Sequence, residues 1–230
     1  MLNSIAFIPD GNRRYATKMH IPLVQSYQLG TKKAWEVIDW LKDYPKIKAG
    51  TFYTLSLENL SRNKAELKIL FSIFERELDK VLNSDFFPVN DVKLKFIGRF
   101  EDFPEKLKQK ISKTEEFTEN NKKKTINLAI GYNGQTEIVD AAKKIALAHE
   151  KGLDLNSLNE DSFKKYLYSD FSDPDLIVRT SGTQRLSGFL TYQSSYSELY
   201  FSEKFWPEFS KTELNNAITE FDSRQRRFGK

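Results

Sequence analysis

The amino-acid sequence predicts an α/β protein with a central, mostly parallel six-stranded sheet flanked by helices. Three observations predict it. Short apolar runs of strand character alternate along the chain with longer stretches of helical periodicity. The 230 residues suffice for one well-filled core, and no composition shift marks a boundary, so residues 1–230 read as one domain. No internal repeat or low-complexity segment breaks the alternation.

Taken in order, Ile5–Ile8 is an apolar strand that ends at Asp10-Gly11, where a helix is expected to start. Ala34, Val37, Ile38 and Leu41 form an i, i+3, i+4, i+7 helical face. Thr51–Leu57 is the second strand. Asn63 with Glu66 three residues on has capping-box spacing. It opens a helix whose stripe is Leu67, Leu70, Phe71, Phe74, Leu78, Val81 and Leu82. Ile69 and Ile73 give that helix a second apolar side, so it is expected to touch two greasy surfaces.

Val92–Ile97 is the third strand, and a helix carrying Leu107 and Ile111 starts near Asp102 and Pro104. Lys122–Lys124 reads as a solvated turn before the strand Thr125–Ile130. Ile138, Ala141, Ala142 and Ile145 lie on a helix stopped by Gly152. Leu176–Val178 and Leu199–Phe201 are the last two strands. Ser210 and Glu213 cap a final helix with Leu214, Ala217, Ile218 and Phe221 inward.

Composition narrows the function classes. Hydrophobic residues at 39% and charged residues at 30% fit a globular protein rather than a disordered one. A net charge of +4 leans toward anionic partners but falls short of a dedicated nucleic-acid surface, so no nucleic-acid partner is expected. The absence of cysteine excludes disulfides and thiolate metal sites. Two histidines, His20 and His149, are too few for a histidine-rich zinc site. No apolar run has the length of a membrane span and no signal pattern opens the chain, so the expected compartment is the cytoplasm. With 18 Phe and 10 Tyr, any internal cavity is expected to be greasy or aromatic.

In parallel sheets ligands bind beyond the carboxyl ends of the strands, which directs attention to three segments. The first is Asp10-Gly11-Asn12-Arg13-Arg14. Its glycine lets backbone approach a ligand, a helix start favours an anion, and Arg14 can fork onto phosphate oxygens. Asp10 beside a bare phosphate would repel it, and makes sense there with a divalent metal between them. Read alone, Asp10 is equally an ion-pair partner or a helix cap. The second segment, Ser56 to Arg62, reads alone as an ordinary strand-to-helix loop. The third, Arg179 to Ser187, packs two arginines, three small hydroxyl residues and a glycine, and a buried strand ending in Arg179 calls for an anion. Glu198, among Tyr196 and Tyr200, is a metal or charge partner or a rim residue. The three cationic strand ends together point to a site for more than one phosphate group.

Five ordered stretches resemble motifs of one family. They are IPDGNRRYA, TLSLENLSR, INLAIGYNGQTEIVDA, the block from LIVRTSGTQRLSGF to SELYFSEKFWPEF, and the closing RRFG. The chain resembles the cis-prenyltransferases, of which undecaprenyl diphosphate synthase is the best-known type, over nearly its whole length. The resemblance implies repeated addition of isopentenyl diphosphate to an allylic diphosphate of the farnesyl or geranylgeranyl class, with new double bonds in the Z configuration. It implies magnesium held by Asp10 and helped by Glu198. Gly11, Asn12, Arg13 and Arg14 would form the allylic phosphate pocket, with Tyr15 and Tyr27 at positions of its tryptophan and histidine. Arg179, Arg185 and Ser187 would hold isopentenyl diphosphate. Ser56, Asn59 and Arg62 would sit near the proton leaving C2 of that unit. Arg227 and Gly229 would reach a partner's active site in a homodimer. The product needs a dry hydrophobic tunnel, with the helix bearing Phe71 and Phe74 as its wall and Thr54 and Ile126 bearing on its depth. A lipid product implies release at a membrane surface, hence a peripheral membrane contact.

The sequence departs from the family pattern in places. Leu23 and Tyr27 stand where basic residues are usual, Thr183 where an acid is common, with Gln184 next, and Gly188 where asparagine is usual. These changes bear on the grip on the allylic diphosphate. A non-catalytic or weakly active accessory subunit is the alternative reading, against which the retained Asp10, Asn12, Arg14, Asn59, Arg62, Arg179, Arg185 and Glu198 argue. A phosphotransferase with Asp10 as nucleophile lacks the second aspartate two residues away, where Ile8 and Asn12 stand.

Overall fold

The computed structural model describes residues 1–168 and 171–224. Its centre is a six-stranded sheet of order β3-β4-β2-β1-β5-β6. The strands are β1 (Ser4–Ile8), β2 (Ala49–Ser56), β3 (Val92–Ile97), β4 (Lys124–Tyr132), β5 (Leu176–Arg179) and β6 (Glu198–Phe201). Every neighbouring pair runs parallel. The expected mostly parallel sheet is therefore wholly parallel.

The helices are α1 (Asn12–Lys18), α2 (Leu23–Trp40), α3 (Lys64–Leu82), α4 (Phe86–Asn90), α5 (Glu105–Thr118), α6 (Gly134–Glu150), α7 (Glu160–Lys164) and α8 (Lys211–Ser223). All five residues of β1 are buried, as befits a central strand covered on both faces. Ile5 and Phe7 point into one core with Val37, Leu41 and Leu78, while Ala6 and Ile8 point into another with Tyr53 and Tyr132. Phe7 stacks on Phe52 at 4.9 Å and meets Phe209 edge-on at 6.3 Å, which fixes β1 against β2 and the chain before α8.

The order in which strands are laid down across the sheet reverses around β1. Its neighbour β2 leads outward to one edge and its neighbour β5 to the other. That makes the carboxyl end of β1 the topological switch point, where a crevice opens between diverging connections. Asp10 lies two residues beyond it.

Several local expectations are corrected. Asn63 does cap α3, accepting from Ala65 N–H at 2.8 Å, but Glu66 does not complete a capping box, because its carboxylate is drawn to Tyr27 and Arg62. Lys124 is no solvated turn residue. It is 5% exposed, and its ammonium donates to the carbonyls of Ile47 and Tyr44. Burial and the neighbouring Lys48 and Lys123 push it down to about 8. On α6, Ala142 is exposed whereas Glu137 is fully buried, accepting from the hydroxyl of Tyr132 and the amide of Gln193.

Candidate active site

The loop leaving β1 turns at Gly11, whose φ is +104°. A Cβ there would stand 2.7 Å from the Phe205 ring and 2.9 Å from Ser181 Cβ, so only glycine fits both the angle and the space. Asp10 is not the helix cap, since Gly11 occupies that position. Instead Thr180 ties the loops after β1 and β5 together. Its hydroxyl accepts from Asp10 N–H at 2.9 Å and donates to Asp10 C=O at 2.7 Å. Trp206 N–H donates to the same carbonyl at 3.0 Å.

Asp10 is thereby held against arginines. Its Oδ2 accepts from Arg179 Nη2 at 2.8 Å and lies 3.4 Å from Arg14 Nη2. The Arg179 side chain is 5% exposed, which would cost several kcal/mol if it were unpaired. It also donates to Ser187 Oγ at 2.9 Å and to the Arg185 carbonyl, yet its buried Nε has no hydrogen-bond partner. Burial pushes the Asp10 carboxyl up, but the Arg179 hydrogen bond and charge, the Arg14 charge and the Gly11 N–H outweigh it. The group titrates below the ordinary carboxylate range.

Arg14 is aimed by the loop after β5. It donates to the Ser181 carbonyl at 3.2 Å, to Ser181 Oγ and to Thr183 Oγ1 at 3.2 Å, and its guanidinium lies 5.6 Å from the Phe205 ring centre. Thr183 thus does with a neutral hydroxyl what an acid would do, and leaves the guanidinium charge for a ligand. Arg185 donates from Nε to Ser187 Oγ at 3.2 Å. Two guanidinium groups, those of Arg179 and Arg14, flank one carboxylate, and Arg185 shares Ser187 Oγ with Arg179, so this corner carries excess positive charge and suits an anion. Asn12 adds a buried Oδ1 with no partner. Gly188 is explained by φ of +75° and by Asn133 Nδ2, which would lie 2.6 Å from a Cβ.

A second cluster faces this corner. Arg62 Nη1 donates to Glu66 Oε1 at 3.1 Å and to the Tyr27 oxygen at 3.2 Å. The Tyr27 hydroxyl donates to Glu66 Oε1 at 2.6 Å, and Arg13 reaches Glu66 Oε2 at 3.5 Å. Burial and the hydrogen bond to Glu66 push Tyr27 up to about 12, so it stays a neutral donor. Asn59 N–H donates to Ser56 Oγ at 3.3 Å.

Both clusters line a single cavity of about 1280 Å³. Asp10, Gly11, Asn12, Arg13, Arg14, Tyr27, Ser56, Asn59, Arg62, Arg179, Arg185 and Ser187 all contribute to its wall. Its depth, between α2, α3 and the sheet, is apolar, with Ile38, Leu55, Leu70, Ile73, Phe74 and Leu128. The helix expected to wall a tunnel, α3, lines this cavity through Leu70, Ile73 and Phe74, but Phe71 turns away to pack on Phe103 at 5.2 Å. Thr54 lines the cavity, whereas Ile126 is buried in the core beneath it.

Other expected site residues fall elsewhere. Glu198 does not join Asp10. It pairs in register with Leu176 at the amino end of β5, about 10 Å along the strand from Arg179, and binds Arg224 at 2.7 Å. Tyr15 is half-buried on α1 and Leu23 half-buried on α2, and neither lines the cavity. Arg227 and Gly229 lie outside the described residues. Sequence reading missed Thr180, Glu58 and Glu77, and took Glu66 for a helix cap alone. Glu58 lines the cavity and accepts from the Asn133 amide. The signal for Glu77 was present, since it interrupts the apolar stripe of α3.

A parallel sheet that offers arginines at its switch point, with an apolar chamber behind them, suits a transferase whose substrate is a hydrocarbon bearing a diphosphate. The profile of the family described as "Putative undecaprenyl diphosphate synthase" matches residues 8–229. The chain belongs to this family, the undecaprenyl diphosphate synthase-like cis-prenyltransferases, and is a prenyl-transferring enzyme. It is 43% identical to the tritrans,polycis-undecaprenyl-diphosphate synthase (geranylgeranyl-diphosphate specific) of Thermoplasma volcanium, over 98% of this chain and 88% of that protein. It is 37% identical to the isoprenyl transferase of Thermus thermophilus, over 100% of this chain and 89% of that one. Its structure resembles lavandulyl diphosphate synthase of Lavandula x intermedia in complex with dimethylallyl diphosphate. The TM-score is 0.93 at 32% identity, covering 100% of this chain and 98% of that chain.

Proposed function

We propose that this enzyme adds isopentenyl diphosphate repeatedly, in Z configuration, to an allylic diphosphate and makes a long-chain polyprenyl diphosphate, the precursor of a lipid carrier. A geranylgeranyl-class primer is favoured by the substrate named for the Thermoplasma relative. The observation that carries the reading is the Asp10–Arg179 pair, 2.8 Å apart, at the mouth of an apolar cavity. There the polar and apolar halves of such a substrate find matched surroundings.

In each cycle the bond between the allylic C1 and its diphosphate oxygen breaks. The isopentenyl double bond supplies the electrons for a new carbon–carbon bond, and a proton leaves its C2. Charge builds on the departing diphosphate, where Arg14 and the Gly11 and Asn12 backbone at the start of α1 would stabilise it. Arg179, Arg185 and Ser187 would hold isopentenyl diphosphate. Ser56, Asn59 and Arg62, across the cavity, would orient the carbon that loses the proton.

The donor set fits magnesium. Among the described residues no cluster of three or more His, Cys, Asp or Glu side chains is present, and magnesium is commonly held by one or two carboxylates with substrate phosphates and water. Both arginine contacts of Asp10 use Oδ2, so Oδ1 is the oxygen a cation would take. When bound, magnesium would neutralise diphosphate charge. The placement of Glu198 argues for Asp10 as the protein ligand within one chain.

A homodimer and a peripheral membrane contact for product release belong to the same reading. Among the described residues no helix is long and apolar enough to cross a membrane. The deciding experiment is incorporation of radiolabelled isopentenyl diphosphate with geranylgeranyl diphosphate and magnesium. Extractable polyprenyl product is expected. No incorporation with any allylic primer would leave the accessory-subunit reading standing. Absence of binding to liposomes, with product made, would count against the membrane contact.

A further inference from the structure

The depth of the cavity holds one charged side chain that the chemistry at the mouth does not use. Glu77 is 6% exposed and lines the chamber beside Trp35, Ile38, Ile73, Phe74 and Leu78. It sits at the i+3 position from Phe74 and i+7 from Leu70, in the middle of the apolar stripe of α3. A carboxylate in such a place is costly unless it is held, and it is held. Its Oε2 accepts from the indole N–H of Trp35 at 3.0 Å. Its Oε1 faces Lys80 at 2.9 Å and Arg76 at 3.4 Å, whose side chains are 63% and 49% exposed. Trp35 is in turn braced edge-on against Phe87 at 5.9 Å. The carboxylate therefore stands in the wall between an apolar chamber and solvent-facing cations.

Its depth can be read along the helices. Glu66 meets Tyr27 at the mouth, and Glu77 meets Trp35 further in. At 1.5 Å per residue these two levels are about 16 Å apart on α3 and about 12 Å apart on α2.

We propose that Glu77, oriented by Trp35, is a specificity-determining residue that sets how far a growing hydrocarbon chain can extend before release. This rests on the polyprenyl reading above. Each added isoprene unit gains by burying apolar surface. A chain end that reaches Glu77 instead presses on a carboxylate. Seating it there would desolvate that charge or displace its partners, which opposes the gain. Elongation past this level becomes unfavourable, and the next event is release rather than addition.

The test compares Glu77→Leu, Glu77→Ala and Glu77→Gln with the parent chain, each checked by thermal melting. Glu77→Leu removes charge while keeping bulk, Glu77→Ala also opens space, and Glu77→Gln keeps an acceptor for Trp35. Labelled products are dephosphorylated and resolved by length. The Leu and Ala variants are expected to move the dominant product longer by roughly one isoprene unit or more, and Gln by less. A folded Leu variant with the parent's product ladder overturns the proposal. A second arm needs no turnover. Binding of saturated alkyl diphosphates of increasing length is measured by calorimetry without magnesium. In the parent, affinity should stop rising at a length where Glu77→Leu still gains. Identical length dependence in both also overturns it. If Glu77→Leu does not fold, Glu77→Gln is read in this arm and must extend the gain. Failure of the parent to make any product strikes the proposed function instead, because the binding arm reads cavity depth independently.

Discussion

Helix α3 sends a carboxylate to α2 at two levels, and the two contacts do different work. At the mouth Glu66 meets Tyr27 among arginines, with Arg62 at 3.1 Å and Arg13 at 3.5 Å. In the depth Glu77 meets Trp35 among apolar side chains. The first acid trims an excess of positive charge, so that arginines stay oriented while no anion is bound. The second has its balancing cations outside the chamber, and the chamber sees the acid. Under the proposed function the same residue type would tune anion binding at one end of the cavity and hydrocarbon length at the other. The surroundings decide, through desolvation and counter-charge.

The largest expected effect tests the mouth. Asp10→Ala should lower kcat/KM by about a thousandfold, roughly 4 kcal/mol of transition-state stabilisation, without changing the length of any residual product. Steady-state kinetics with magnesium held saturating checks the rate, and product sizing checks the independence of the two ends. A variant with near-normal rate would remove Asp10 from the metal role. Next in size, Arg185→Ala should raise KM for isopentenyl diphosphate by about tenfold, with a smaller change for the primer. An equal rise for both substrates would mean that the two phosphate pockets are not separate.

The mouth was largely legible in the sequence, and the depth was not. Asp10, Asn12, Arg14, Arg179 and Arg185 sit within a few residues of strand ends, and a parallel sheet gathers strand ends by its topology alone. The helices were legible for a similar reason, since a 3.6-residue period needs no partner to be seen. Glu198 shows where that logic fails. Its position in sequence places it just before the strand Leu199–Phe201, but only the β5–β6 register puts it at the amino end of the sheet, away from Asp10. Phe71 and Phe74 are three residues apart on one helix, yet Phe103, in the loop before α5, takes one and the cavity the other. Which apolar side faces which neighbour is set by non-local packing, and so is cavity depth.

Tyr27 gives a smaller test of the same contrast. Tyr27→Phe removes the 2.6 Å hydrogen bond to Glu66, a loss of about 1 kcal/mol, and should raise primer KM a few-fold with little change in kcat. Tyr27→His supplies the side chain usual in the family and should lower primer KM relative to Tyr27→Phe. Neither should alter product length, because the contact lies about 16 Å along α3 from Glu77. A length change in Tyr27→Phe would merge the two levels into one.

Asp10 also contributes to stability, and the sign of that contribution is determined. The folded carboxyl titrates below its ordinary value of about 3.9, so between the two values the unfolded chain binds more protons. Stability therefore rises with pH across that interval. The contribution is fully present above about pH 4 and is lost as pH falls through the folded value. Asp10→Asn should lower stability at neutral pH by about 1–2 kcal/mol, a gap that closes in urea melts as pH falls through the folded value. A gap that persisted at acid pH would assign the loss to packing rather than charge. Pyrophosphate sharpens this further. Without magnesium the Asp10 carboxylate repels an anion placed among Arg14, Arg179 and Arg185. Inorganic pyrophosphate should then raise the melting temperature of Asp10→Asn more than that of the parent. With magnesium the order should reverse, because the carboxylate becomes the ligand that joins cation to anion. Equal shifts under both conditions would leave Asp10 as an anchor for Arg179 alone.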